Sequence, residues 1–352
     1  MDNVCHTLAG AVLAEAGLRR RTPLAVPTLV IGANLPDLDA LAYLRDPLFA
    51  LTLRRGWTHG VLAVVLLPVL LAAAMLVWDR LARRNHDRAR ADPGSLLLLA
   101  AIAVLSHPLL DLLNTYGVRL LMPFSGRWFY ADTLFIVDPW LWLLFGAGAA
   151  IGWRRRRRGL SQAAAERPAR IAVGLAACYI SAMGIMGLVG RRLVRDAGSA
   201  AGITAVSQEM VSPVPADPFR RAVVLATPEG YRLGALNWLR SPRVTFESHA
   251  IPSGFGSADV AAGAASATGS AFLSWSRFPV AIVRQEGQGE VVRFYDLRYA
   301  GPEGESWAAV EMPVSHRSPF TAFPTPASAG TSSSDAASAF RPFPNLDCSR
   351  SK

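Results

Sequence analysis

Two ionisable residues, His107 and Asp111, lie four positions apart in an otherwise apolar stretch, AVLSHPLLDLLNTYG. On an α-helix, residues at this spacing project from the same face, so the pair can bind one metal ion from one side. Pro108 between them removes a backbone hydrogen-bond donor, a feature found where a membrane helix opens to a cavity. The alternative interpretation is a polar pair that joins two helices by hydrogen bonds.

Two carboxylates, Asp37 and Asp39, follow a proline in the segment ANLPDLDAL. Aspartate beside proline and asparagine is common in solvated turns and at helix N-termini, which is the simpler interpretation of this motif. In the topology predicted below, however, this segment and His107 fall at the same face of the membrane. The two motifs can therefore contribute to one site.

The histidines and aspartates at this face are suited to a catalytic divalent cation. Neutral imidazoles and carboxylates bind Zn²⁺ or Mn²⁺, with Zn²⁺ favoured, and leave room for a water molecule. A bound cation also explains why so many ionisable groups are tolerated at the edge of a bilayer. The predicted ligands are His6, Asp37, Asp39, His59, His107 and Asp111.

The segment RRGWTHG places Arg54 and Arg55 a few residues before His59. A guanidinium binds phosphate or carboxylate through two parallel hydrogen bonds, so these arginines are predicted to bind an anionic substrate. A phosphoester suits such a pair better than a peptide. The chain contains no HExxH, GxSxG, P-loop or dinucleotide-binding motif, and the corresponding enzyme classes lose support.

Two further acids, Asp132 and Asp138, lie near the start of a later apolar stretch. They are predicted catalytic residues, acting as the general base, as a partner that orients a histidine, or as an additional ligand. Asp138 precedes a proline, so it can instead simply begin a helix.

The composition is that of a membrane protein. Of the 352 residues, 51% are hydrophobic, and the mean hydropathy of +0.27 is high for a soluble protein. The net charge of +10 comes almost entirely from arginines beside apolar runs, since Lys352 is the single lysine. We interpret this charge as a signal of membrane topology and predict no nucleic-acid partner. Cys5, Cys178 and Cys348 are too far apart in the sequence to indicate a metal site or a disulfide framework.

Four apolar windows approach the ~20 residues that cross a hydrocarbon core. Two shorter windows before them predict a helical pair packed against the spans. The predicted fold class is a mainly α membrane protein with four transmembrane helices, a short N-terminal helical pair and a C-terminal β-rich soluble domain. The four windows are 60–78, 95–113, 134–153 and 171–190, and the shorter ones are 8–18 and 24–33.

The short loops indicate the orientation. Loops 79–94 and 153–170 are rich in arginine, whereas loop 115–133 contains only two, so the first two loops are predicted to be cytoplasmic. This places the candidate ligands and everything after residue 190 outside the cytoplasm. The predicted location is the bacterial inner membrane, with several passes.

Three domains are predicted. Residues 1–195 form the membrane-embedded part, and residues 196–317 form a β-rich extracytoplasmic domain, because segments such as VVRFYDLRYA alternate apolar with polar residues. Residues 318–352 are rich in Ser, Ala and Pro and are predicted to be disordered. We expect the region from about residue 205 to 317 to be removable without loss of bound metal.

Four motifs in this order, HTLAGAVLAEAGL, ANLPDLD, RRGWTHG and SHPLLDLLNTYGVRLLMPF, resemble the YdjM-like family of inner-membrane proteins described as metal-dependent hydrolases. The resemblance covers roughly residues 5–140 and implies the same six metal ligands. The order of His, Asp, His and His-x-x-x-Asp is more distantly similar to helical zinc-dependent phospholipases C. Many members have histidine where this chain has Arg54 and Ala40, which leaves the number of metals open.

The predicted function is a membrane-bound, metal-dependent hydrolase in which a metal-activated water attacks a phosphoester. Its substrate is predicted to be a membrane lipid or another anionic small molecule of the cell envelope. The alternative is a non-enzymatic assembly or transport protein whose buried His and Asp residues carry protons or join helices. Bound metal that is lost together with His59 and His107 would distinguish the two.

Overall fold

The computed structural model describes residues 1–82, 89–286, 289–301 and 306–313. Helices occupy the first 200 residues, and the predicted N-terminal helical pair forms as α1 and α2. A 3₁₀ helix, Leu35–Leu44, joins α2 to α3. The α-helices of this part are α1 (Asn3–Glu15), α2 (Ala25–Asn34), α3 (Pro47–Leu53), α4 (Val61–Ala82), α5 (Pro93–Leu112), α6 (Pro139–Arg157) and α7 (Gln162–Ala200).

Within the described residues, three helices are long and apolar enough to cross a membrane, namely α4, α5 and α7. The prediction of four spans is therefore corrected at the window 134–153. Its helix, α6, begins only at Pro139, because the Asp138 carboxylate caps it, and four arginines form its last turn. The apolar stretch that remains is about 22 Å long, which is shorter than a hydrocarbon core of about 30 Å. α6 packs along α7, which is 39 residues long.

Small residues let the helices that carry the candidate ligands approach closely. A Cβ atom on Gly10 of α1 would lie 2.6 Å from the carbonyl oxygen of Leu29 in α2. A Cβ atom on Gly32 of α2 would lie 2.7 Å from the Cβ of Ala103 in α5. Such contacts between small residues are typical of helix packing in membranes. They bring α1, α2 and α5 together at the level of the predicted ligands.

After α7 the chain forms two antiparallel sheets, as the alternating sequence pattern predicts. One sheet has four strands in the order β1–β2–β3–β4 and the other has three in the order β5–β6–β7. Two short helices, α8 (Ala258–Ala265) and α9 (Ala267–Trp275), lie between the sheets in sequence. The strands are β1 (Gln208–Val214), β2 (Asp217–Thr227), β3 (Gly230–Asn237), β4 (Val244–Phe246), β5 (Pro279–Glu286), β6 (Gly289–Asp296) and β7 (Ala309–Pro313). The predicted disordered tail, 318–352, lies outside the described residues.

Buried arginines join the β region to the loop between α5 and α6. Arg298 donates a 2.6 Å hydrogen bond to the carbonyl oxygen of Thr115, and Arg277 donates to both carboxylate oxygens of Asp132 at 3.0 and 2.9 Å. Thr115 is only four residues from the predicted ligand Asp111. In contrast to the sequence-based expectation, we expect removal of the β region to disturb the ligands.

Candidate metal centre

Three elements meet around His107. α5 presents His107 and Asp111 from one face, as their spacing predicts, and both side chains are fully buried. The turn before α4 contributes His59, two residues ahead of the first residue of that helix. The 3₁₀ helix contributes Asp37 from its first turn. Four residues from three separate segments of the chain therefore present their side chains to one point.

The facing atoms of these four residues are close together. The Nε2 atoms of His59 and His107 are 3.1 Å apart. The Oδ2 atom of Asp111 lies 3.3 Å from the first of these nitrogens and 3.5 Å from the second, and the Oδ1 atom of Asp37 lies 4.0 and 3.6 Å from them. Within the described residues, these form one group of potential metal ligands, with all four atoms within 4.8 Å of one another.

Hydrogen bonds on the far side of each ring determine which nitrogen faces the centre. His107 Nδ1 donates to the carbonyl oxygen of Ala33 at 2.6 Å, so its Nε2 presents a lone pair. The Thr58 hydroxyl donates to Asp39 Oδ2 at 2.8 Å, so it accepts from His59 Nδ1 at 2.9 Å. His59 Nε2 therefore also presents a lone pair. Burial lowers the pKa of the His59 imidazole well below its usual range, which keeps the ring neutral.

With these hydrogen bonds, the Nε2 atoms of two imidazoles and two carboxylate oxygens face one another. Neither Asp37 Oδ1 nor Asp111 Oδ2 has a hydrogen-bond donor. Buried acceptors in this arrangement repel each other and are costly unless a cation lies between them. For metal–ligand bonds of 2.0–2.1 Å, tetrahedral geometry puts ligand atoms ~3.3 Å apart. The distances of 3.1 to 4.0 Å lie around that value, so the residues fit a divalent cation.

His6 and Asp39, also predicted as ligands, lie beside this group. The His6 ring stacks on His107 with ring centroids 3.7 Å apart, and its Nε2 lies 3.3 Å from Asp111 Oδ1. Asp39 Oδ2 lies 3.5 Å from His59 Nδ1, on the side of that ring away from the centre. Asp39 therefore orients a ligand through Thr58, an arrangement common around metal-bound histidines.

The family comparison points to the same segment of the chain. A model of the YdjM inner membrane protein family matches residues 1–189, which include all four residues of the cluster. The chain belongs to the YdjM inner membrane protein family. The resemblance inferred from the four motifs is thereby confirmed.

A curated relative of this YdjM family member is the uncharacterized protein YfhP of Bacillus subtilis (strain 168). It is 26% identical over 172 residues, which cover 46% of this chain and 49% of the relative. The match therefore spans about half the length of either protein. No solved structure matches the chain.

The two predicted substrate-binding arginines of this family member have different surroundings. Arg55 is buried and lies 3.1 Å from Asp111 Oδ1, and its backbone N–H donates to Asp39 Oδ2 at 2.8 Å. Its left-handed backbone, with φ of 49°, turns the side chain inward. Arg54 is half-buried and donates to the Tyr43 hydroxyl at 3.4 Å. Arg55 is thus part of the wall of the site, whereas Arg54 lies at its rim.

The two predicted catalytic acids are held by other partners. Asp132 is paired with Arg277 of the β region. Asp138 caps α6, accepting from the backbone N–H groups of Trp140 and Leu141 at 3.0 Å, and it also accepts from the Tyr179 hydroxyl. The structure does not bring either carboxylate into the described metal group. Asp138 begins α6, as the simpler interpretation of its sequence has it, and the catalytic roles of the two acids stay predictions.

Sequence reasoning missed three groups around the cluster. Thr58 connects Asp39 to His59, and Asn114 accepts a 3.1 Å hydrogen bond from Arg55. The ammonium group of Met1 contacts Asp111 Oδ1. The positions of Thr58 and Asn114 beside predicted ligands were available signals, but hydroxyl and amide side chains occur so widely that their roles emerge only from the contacts.

Thr58→Val is expected to weaken metal binding by about 10- to 100-fold, because the isosteric side chain cannot connect His59 to Asp39. Competition with a chromophoric chelator measures the affinity. Thr52→Val is the matched control, since that exposed hydroxyl donates only to the carbonyl oxygen of Phe49. Equal affinity in the two variants would show that the Thr58 hydroxyl does not orient a ligand.

Proposed function

We propose that this chain is a membrane-bound, metal-dependent hydrolase that acts on a phosphoester or another anionic envelope substrate. The observation that carries the proposal is the pair of imidazoles whose Nε2 atoms lie 3.1 Å apart and face two carboxylate oxygens that have no hydrogen-bond partner. Two imidazoles and two carboxylates near tetrahedral spacing favour Zn²⁺ over Mn²⁺.

The residues of the cluster and its wall have different roles in this proposal. His59, His107, Asp37 and Asp111 hold the cation, and the longer distances to Asp37 leave the most room on its side of the cluster. When bound, the cation would polarise an ester oxygen and acidify a water molecule. Arg55 balances the charge of Asp111 from behind. The family comparison supports the membrane location but gives no information about the reaction.

Elemental analysis of detergent-purified protein, combined with hydrolysis of bis(p-nitrophenyl) phosphate, tests the proposal. We expect bound zinc, loss of hydrolysis after chelation and recovery when Zn²⁺ is added back. A folded protein that carries no metal and takes none up would refute the hydrolase. That result would instead favour the assembly or transport function.

Arg54→Gln is expected to raise the KM for an anionic substrate by about tenfold, because a charge-assisted hydrogen bond contributes roughly 1.5–3 kcal/mol. Metal content and kcat should change little, since Arg54 lies at the rim and does not contact the four ligands. The measurement is steady-state kinetics at several salt concentrations. Arg45→Gln, at an exposed arginine stacked on Phe49, is the matched control. Equal KM values in the two variants would remove Arg54 from the substrate site.

We also propose that the metal centre and the β region lie outside the cytoplasm. Arg154 to Arg157 form the last turn of α6, at the opposite end from Asp138. In this proposal α6, although shorter than a hydrocarbon core, takes the chain to the arginine-rich side, and α7 returns it to the side of the cluster. The β region contacts the loop on the Asp138 side. A reporter fused after residue 200 is expected to show an extracytoplasmic location. A cytoplasmic signal would place both the β region and the cluster inside.

A further inference from the structure

The 3₁₀ helix that carries Asp37 has an apolar face that is left exposed by the residues that the structure describes. A 3₁₀ helix has three residues per turn, so residues three apart lie above one another. In the segment LPDLDALAYL this aligns four leucines on one face. Leu38, Leu41 and Leu44 are 54%, 60% and 85% exposed, whereas Asp37 and Asp39 on the other faces are buried. We call Leu38, Leu41 and Leu44 the leucine face.

The leucine face continues from the surface of the candidate spans. Leu35, the first leucine of the row, packs against a core cluster that includes Leu71 of α4 and Leu96 of α5. The 3₁₀ helix itself packs against both of these helices. The exposed fraction of the leucine side chains then rises along the row as the row leaves these two helices. The face therefore starts at helices that have the length and hydropathy of membrane spans.

The position along the spans matches the boundary of a bilayer. His59 lies two residues before α4, and His107 lies five residues, about 7–8 Å, before the end of α5. Aromatic and arginine side chains typical of that boundary occur in this segment and after it, with Tyr43 and Trp57 exposed and Arg45 stacked on Phe49. At this depth an exposed apolar surface is expected to face lipid.

We propose that the leucine face inserts into the acyl-chain region of the leaflet on the side of the metal centre, and that the cluster takes its substrate from the lipid headgroups there. The second half of this inference rests on the proposed hydrolase function. Insertion would hold Asp37 at headgroup level, because the carboxylate and the leucines project from different faces of one short helix. A phosphoester headgroup would then reach Arg54 and the cluster without leaving the membrane.

Spin labelling in nanodiscs tests insertion independently of any activity. Single cysteines replace Leu41 or Leu44 in a chain that lacks Cys178 and Cys348, while the fully buried Cys5 stays. The ratio of relaxation by oxygen to relaxation by a nickel chelate is expected to match that of a label at the exposed Leu62, near the start of α4. It should be several-fold above that of a label at Leu239, a leucine 74% exposed in the β region. Nickel accessibility equal to that at Leu239 would overturn the proposal.

Hydrolysis tests the second half. Leu41→Glu combined with Leu44→Glu is expected to slow hydrolysis of phosphatidylglycerol in vesicles by about tenfold or more, the scale of losing one buried leucine. Hydrolysis of soluble bis(p-nitrophenyl) phosphate, the metal content and the Leu239→Glu control should stay unchanged. Equal loss on both substrates would show that the leucines act through the fold of the cluster, which overturns the substrate route. If the wild type hydrolyses neither substrate, the hydrolase proposal fails, and the spin labels alone decide insertion.

Discussion

His107→Ala is expected to reduce bound metal from about one ion per chain to background and to abolish hydrolysis, because His107 lies within 3.6 Å of each of the other three ligand atoms. Asp111→Ala is expected to do the same. The double variant should be little worse than either single one, since residues that act as one unit are strongly non-additive. The measurements that check this prediction are the metal content and the turnover of the purified variants.

Two further variants separate metal loss from misfolding. Asp111 also balances the buried Arg55, so its removal disturbs the fold as well as the cluster. Asp37→Asn disturbs the fold less, because among the described residues no arginine forms an ion pair with Asp37, whose Oδ1 lies 4.0 and 3.6 Å from the two imidazoles. His249→Ala, at an exposed histidine of the β region, should retain full metal content. If His107→Ala keeps its metal and activity, the cluster is a helix-packing network and the hydrolase proposal fails.

Arg298→Met is expected to destabilise the protein by about 3–5 kcal/mol, because it leaves the fully buried Asp296 carboxylate without its charged partner. The same arginine donates to the carbonyl oxygen of Thr115, next to the α5 end of the cluster, so metal affinity should fall with stability. Adding Asp296→Asn should recover part of the loss, since no unpaired charge then remains. Thermal unfolding with and without added Zn²⁺ measures both effects.

The matched control for this prediction is Arg293→Met. Its partner Glu311 is half exposed, and such pairs contribute about 0–1 kcal/mol. Equal destabilisation by the two substitutions would show that loss of apolar contacts with the long side chain, rather than the buried ion pair, determines the result. A stable Arg298→Met variant with normal metal affinity would show that the β region is independent of the metal centre.

Local periodicity accounts for the parts of the site that were predictable. His107 and Asp111 share a face because any α-helix places residues four apart on one side. The motif around Asp37 and Asp39 was also found in the sequence, but the sequence did not show that its two acids lie in different positions. In a 3₁₀ helix, residues two apart project about 120° away from each other, so Asp37 faces the centre while Asp39 lies behind His59.

The wrong prediction of a fourth span also has a local cause. The window 134–153 is apolar enough to suggest a span, but capping by Asp138 delays the helix start and arginines close its end. Arg54 and Arg55 are equivalent in sequence, and only the left-handed backbone of Arg55 separates a wall residue from a rim residue. The role of Asp132 in catalysis stays a prediction, and its ion pair with Arg277 could not be inferred from the sequence because the two residues are 145 positions apart.

By itself, the sequence determined the family, the helical membrane part, the β-rich region and the chemical types of the ligands. These depend on windows of about 20 residues or fewer, where apolar burial and helix periodicity act locally. Only the tertiary structure decided which atoms converge and which imidazole nitrogen faces the centre. His59 and His107 are 48 residues apart, and His6 and Asp111 are 105 apart. The distances between these residues are determined by how α1, α2, α4 and α5 pack. The hydrogen bonds that the two rings donate to Ala33 and Thr58 orient the rings only after that packing has formed.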